Sequence, residues 1–130
     1  MRQQRGFTVP EIIIAVLLVA ILALFAFSQE QNARAAQRDD ARKTSINAMY
    51  FYLEEVYFPA HQSYPTVLLS ENTKGIDPEL LKDPSGYIVG NKASNFRYEP
   101  ADCNAGACKR YTLRANLEKE ADFIRESRNK

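Results

Sequence analysis

Polar and apolar positions divide this chain sharply. From Phe7 to Ser28 the residues are mostly Ile, Val, Leu, Phe and Ala, and Glu11 is the single charged residue among them. A helix of that length spans about 30 Å, the thickness of the bilayer's hydrocarbon core. The run therefore predicts a membrane-crossing helix over residues 7–28. Gln29 to Tyr57 contains neither Gly nor Pro and is rich in Ala, Arg, Glu and Gln, so the helix is expected to continue. Ile46, Met49, Leu53 and Val56 recur at three- and four-residue steps, with Tyr50 and Tyr57 beside them. They form one apolar stripe for a domain to pack on. Pro59 and the Tyr64-Pro65 pair mark the end of this amphipathic part, residues 29–58. As one helix, Phe7 to Phe58 would reach about 78 Å.

After the helix the pattern changes again. Pro59 to Asn95 holds Pro65, Gly75, Pro78, Pro84, Gly86 and Gly90, so regular structure there is limited. Asp77-Pro78-Glu79-Leu80-Leu81 reads as a short helix with Asp77 as its cap, and Asp83-Pro84-Ser85-Gly86 as a turn. Asn95–Glu99 and Arg110–Leu117 alternate polar and apolar residues. They predict two antiparallel strands joined by a long connection over residues 100–109. The charged stretch from Glu118 to Lys130 reads as a frayed terminus. The fold class is α+β: a long N-terminal helix packed on a small antiparallel sheet, with a loop-and-hairpin globular part over residues 59–130.

Composition sharpens this in three ways. With 130 residues there is room for one small domain, which at that size calls for a staple or a partner. The net charge is +1, and without Arg2 and Arg5 the balance is 15 basic to 16 acidic residues, so overall charge gives no argument for nucleic-acid binding. The only cysteines are Cys103 and Cys108, and there is one His, which does not make a zinc set at the usual spacings. Outside the cytoplasm the pair reads as a short disulfide loop; two free thiols are the alternative.

Catalytic chemistry is not indicated. His61 lies in an expected loop with no nucleophile motif nearby, and Gly86 to Gly90 lacks the Lys-Ser/Thr ending of a phosphate loop. Asp77, Asp83 and Asp102 could offer oxygen ligands, but no calcium-loop spacing is present, and turn aspartates are the better reading. No cofactor and no metal are expected, and the chain does not read as an enzyme.

The residue that asks for an explanation is Glu11. A carboxylate near the start of a membrane helix is costly and is a functional candidate by default. An ordinary signal anchor has no use for it, and no clean secretory cleavage site follows the apolar run. A cut between Gly6 and Phe7 would give it a use. The new Phe7 amine would carry a positive charge, and in a bundle of identical helices a carboxylate can neutralise a neighbour's amine.

Arg5-Gly6-Phe7-Thr8-Val9-Pro10-Glu11, followed by the apolar run, resembles the N-terminal signal of type IV prepilins and pseudopilins. The resemblance implies that residues 1–6 are a leader removed after Gly6, that Phe7 becomes an N-methylated terminus, and that Glu11 serves assembly. Tyr64-Pro65, Asp83-Pro84-Ser85-Gly86, Phe96-Arg97-Tyr98 and Tyr111-Thr112-Leu113 extend the likeness along the globular part. Two departures stand out. Pro10 replaces the family's usual Leu or Ile, which is tolerated in a first helical turn. Ala20 and Ser28 stand where many pilins have Gly and Pro.

The family implies a lollipop-shaped subunit of a type IV pilus, a surface filament for twitching motility, adhesion or DNA uptake. The alternatives are a pseudopilin of a type II secretion or competence machine and, from another class, a membrane-anchored binding module. Implied partners are further copies of the chain, related minor pilins, the prepilin peptidase/methyltransferase, and the assembly platform with its ATPase. Short basic flanks stay cytoplasmic. The precursor is thus expected to cross the cytoplasmic membrane once with its N-terminus inside and its C-terminus outside, and the mature form to be an extracellular filament.

Overall fold

The computed structural model describes residues 7–129. The chain forms two compact units, divided after Arg34. Helix α1, Val9–Tyr52, supplies all the regular structure of the first unit and the opening element of the second.

In the first unit every large apolar side chain from Phe7 to Phe27 is between 49% and 80% exposed. These residues have no tertiary core within the chain. The helix there rests on unbroken backbone pairing, the one way an apolar segment in lipid can satisfy its N–H and C=O groups.

The second unit has a core. Ile46, Met49 and Leu53 of α1 are fully buried with Tyr64, Leu68, Leu81, Phe96, Tyr111 and Leu113. This is the expected stripe at three- and four-residue steps, except that Val56 is 53% exposed. The helix does not stop before Pro59. Leu53–Tyr57 is a π-helical turn and Phe58–His61 a short α2. Proline lacks an N–H and crowds the carbonyl four residues back. The widened turn redirects the pairing there, so that Phe58 N–H donates to the Leu53 carbonyl. The helix ends at Gln62, in the left-handed region at φ 54°, whose N–H donates to the Phe58 carbonyl at 2.7 Å.

Four antiparallel strands complete the unit: β1 Tyr64–Pro65, β2 Phe96–Asn104, β3 Ala107–Ala115 and β4 Phe123–Glu126. Strand β3 is central. It pairs with β2 on one edge, while β1 and β4 share the other at opposite ends. The 3-10 turn Pro78–Leu81 carries the expected Asp77 cap, whose Oδ1 accepts from Glu79 N–H at 3.0 Å.

Two expectations fail here. The β2–β3 connection is not long: the strands run through to Asn104 and Ala107, and only Ala105 and Gly106 turn. Both have positive φ, 50° and 86°, as a two-residue turn matching strand twist requires. Pro100 had suggested a strand end. It is tolerated because β2 lies at the sheet edge, where a missing donor costs little. Nor is the terminus frayed: β4 pairs with β3 from Thr112↔Glu126 to Ala115↔Phe123.

Candidate functional site

Thr8, Pro10 and Glu11 build the start of α1. Thr8 immediately precedes the helix, and its carbonyl accepts from Glu11 N–H at 3.0 Å and Ile12 N–H at 3.2 Å. Glu11 reaches back, its Oε2 accepting from Thr8 N–H at 3.4 Å. This is the returning arm of a capping box, Thr-x-x-Glu, which satisfies an orphan donor at a helix start. The motif is visible in the sequence as Thr8-Val9-Pro10-Glu11 and the reading above passed over it. Gly6 lies outside the described residues. At Ala20 and Ser28 the helix continues unbroken, and the Ser28 hydroxyl donates to the Phe25 carbonyl at 2.9 Å. The helical run from Val9 to His61 is long and apolar enough to cross a membrane.

In the second unit the charges of α1 from Arg38 to Lys43 do not all face solvent. Asp39 and Arg42 are buried and paired at 2.7 Å. The Asp39 carboxylate also accepts the N–H groups of Glu118, at 2.9 and 3.0 Å, and Lys119, at 2.8 Å. Glu118 in turn pairs with Arg38 at 2.7 Å and Arg42 at 2.9 Å, and Lys43 with Glu120 at 2.8 Å. Burial pushes the Asp39 carboxyl up, but those two peptide donors and Arg42 more than offset it, and the net shift is downward. The hydrogen bond from Arg38, helped by Arg42, holds Glu118 at about 2. The sequence carried a signal for this. Arg42 falls in register with Ile46, Met49 and Leu53, so an ion pair was being placed on the apolar stripe.

A second buried acid sits one residue into the π-helical turn. Glu54 accepts from Tyr64 hydroxyl at 3.1 Å, Tyr111 hydroxyl at 2.8 Å and Arg128 N–H at 3.2 Å. Burial, and the neighbouring carboxylate, raise the pKa of both phenols. Nothing in the sequence separates Glu54 from Glu55 until the π turn rotates it inward.

The remaining candidates have structural partners. The sulfurs of Cys103 and Cys108 are 2.00 Å apart, in a disulfide across directly opposed residues of β2 and β3. Asp83 accepts from the N–H groups of Ser85 at 2.9 Å, Tyr87 at 3.0 Å and Asn95 at 2.7 Å, fixing the Asp-Pro-Ser-Gly turn to the start of β2. Burial opposes its ionisation, yet these donors hold its pKa below the ordinary value. Asp102 is paired with Arg110 at 2.6 Å. His61 stacks on Tyr57 at 4.2 Å, with its Nδ1 3.0 Å from the Tyr57 carbonyl. Among the described residues, no group of three or more His, Cys, Asp or Glu side chains gathers to hold a metal ion.

An exposed apolar helix whose first turn carries a lone carboxylate meets the comparison that decides the matter: residues 1–27 match the prokaryotic N-terminal methylation motif. The chain carries the signal of type IV pilins and pseudopilins. No curated protein and no solved structure matches it. The pilin-like signal and the apolar helix together give a membrane-anchored precursor, and the helix on a four-stranded antiparallel sheet is consistent with an α+β pilin fold.

Proposed function

We propose that this chain is a structural subunit of a type IV pilus, assembled by packing of its N-terminal helices. The observation that carries the reading is the Phe7–Phe27 surface, exposed along its whole length and uncharged but for Glu11. Lipid covers such a surface in the precursor. Other copies of the same helix cover it in a filament, and helices gain little merely by exchanging lipid for one another. A directional contact must then set the register, and Glu11 against the Phe7 amine of a neighbouring copy supplies one. The role is structural and not enzymatic. A peptidase/methyltransferase that cuts after Gly6 and methylates Phe7 prepares the subunit. An assembly platform driven by an ATPase then moves it, with minor pilins, from the cytoplasmic membrane to the cell surface.

Shearing surface material and measuring the intact mass of the subunit tests this. The expected mass begins at N-methylated Phe7, and imaging shows filaments. A filament subunit beginning at Met1, or beyond Ala26, sinks the processing scheme. A mature Phe7 form confined to the envelope, without surface filaments, makes the chain a secretion or competence pseudopilin instead. Neither processing nor assembly leaves only an anchored module.

A further inference from the structure

Among the ties between the C-terminal segment, residues 118–129, and α1 with its π turn, two are buried carboxylates that accept peptide N–H groups. Asp39 takes Glu118 and Lys119, and Glu54 takes Arg128. Strand β4 lies between the ties on the edge of β3. We propose that this segment is a strap that opens from its Glu54 end while its Asp39 end stays fastened.

The two ties differ in charge compensation. Asp39 has a buried cation, Arg42, at 2.7 Å, and Arg42 and Arg38 clamp Glu118 from the other side. Among the described residues the donors on Glu54 are neutral: two phenols and one peptide N–H. The Arg128 guanidinium pairs not with Glu54 but with Glu55 of the same turn at 2.7 Å and the Tyr50 hydroxyl at 3.3 Å, and at more than half exposure that ion pair contributes little. A carboxylate buried with neutral donors alone recovers less of its lost hydration than one paired with a buried cation. Lifting the strap at Glu54 returns water to that carboxylate. Lifting it at Asp39 breaks a set of ionic hydrogen bonds, which are the stronger kind.

Packing points the same way. An open pocket of about 320 Å³ adjoins this end of the strap, lined in part by Arg110, Tyr111, Thr112, Glu126, Ser127 and Asn129. Beyond β4, Ser127 holds the β3 edge through its N–H to the Tyr111 carbonyl at 3.0 Å and through a 3.4 Å contact from Tyr111 N–H to its hydroxyl. Opening this end therefore bares the backbone edge of β3 at Tyr111.

Amide hydrogen exchange on the full chain in detergent micelles tests the order of opening. The amides of Ser127 and Arg128 are expected to exchange about tenfold or more faster than those of Glu118 and Lys119, as local openings of different cost do. Tyr111→Phe, which removes one neutral donor and leaves the carboxylate less compensated, is expected to speed exchange at 127 and 128 and leave 118 and 119 unchanged. If that variant does not fold, Glu54→Gln serves in its place: it removes the charge whose rehydration favours opening, and is expected to slow exchange at 127 and 128 alone. Equal protection at both ends, or variants that move both ends together, would show one cooperative unit and overturn the strap.

Discussion

Two stretches of the same helical element, residues 9–28 and residues 35–57, follow opposite rules. In the first, apolar side chains face outward on all sides, and among the described residues the single carboxylate meets the N–H of its own Thr8. In the second, one face is buried, and the charges Arg38, Asp39, Arg42 and Lys43 have partners within the helix or in the segment after β3. The second stretch is completed by its own chain. The first is incomplete alone, and its missing surroundings must be lipid or other copies. The comparison locates stability in one stretch and, on the proposed function, assembly in the other, and substitutions should separate the two.

The largest effect is expected at Glu11. A buried charge left without its partner costs about 3–5 kcal/mol, and every added subunit would repeat the loss. Glu11→Ala should therefore insert in the membrane at normal levels yet give few or no surface filaments, with cleavage after Gly6 retained. Normal filament numbers at matched membrane levels would remove the register argument. Loss of the capping arm to Thr8 is a smaller, separate cost, of order 1 kcal/mol by analogy with other helix caps.

Next comes the core of the second stretch. Met49→Ala should lower the stability of the globular unit by about 2–5 kcal/mol, because a fully buried side chain leaves a cavity. Leu17→Ala, at a side chain 57% exposed, should leave the melting of that unit within about 0.5 kcal/mol of the parent. Similar losses from the two substitutions would erase the distinction between the stretches.

How legible this was from sequence follows the same divide. The membrane helix, the apolar stripe and the helix-on-sheet class came from periodicity, because Ile46, Met49 and Leu53 obey a local rule. The signal came from fixed spacing around Glu11. What escaped was non-local. Pro100 looked like a strand end, since its tolerance depends on β2 being an edge. Glu118 to Lys130 looked like a frayed terminus, since its partners Asp39, Arg42 and Asn47 lie about eighty residues away. Glu54 could not be told from Glu55 because the π turn, with Pro59 just beyond it, decides which one faces in.

Acid should act on the second stretch through Asp39 and Asp83. Both have native pKa values below the ordinary carboxylate value despite burial. A depressed native pKa stabilises the fold above the unfolded value of about 4, and that contribution is lost as pH falls through the native values. Melting temperature should thus hold down to about pH 5 and fall below about pH 4. Asp39→Asn should already be destabilised at neutral pH and lose less on further acidification. A parallel fall in both proteins would assign the acid effect to other groups.

The disulfide should come after these. Cys103 and Cys108 close a loop so short that chain-entropy arguments give about 2 kcal/mol, and the turn at Ala105-Gly106 already holds the hairpin. Reduction should lower the melting temperature of the globular unit by several degrees and leave its sheet content unchanged. Alkylation before and after reduction counts the thiols, and two labelled cysteines in the untreated surface protein would contradict the bridge.

The smallest effect is expected from an ion pair that resembles the Asp39–Arg42 pair on paper. Glu30 and Arg34 stand four apart on α1, as Asp39 and Arg42 stand three apart, and the distances are 2.5 and 2.7 Å. What differs is solvent. The first pair is 58% and 67% exposed, the second 2% and 4%. Water screens the exposed charges and solvates whichever one remains, so a helix pair of this kind contributes about 0.3–0.5 kcal/mol. Glu30→Ala should therefore leave helix content in micelles, measured by circular dichroism, almost unchanged, and added salt should remove what difference there is. Arg42→Ala leaves Asp39 without its cation inside the fold and should cost several kcal/mol by the same reasoning. A loss above about 1 kcal/mol from Glu30→Ala in isolated subunits would mean that the first unit has a fold of its own to lose. The same loss appearing only in assembled filaments would place Glu30 at a contact between copies.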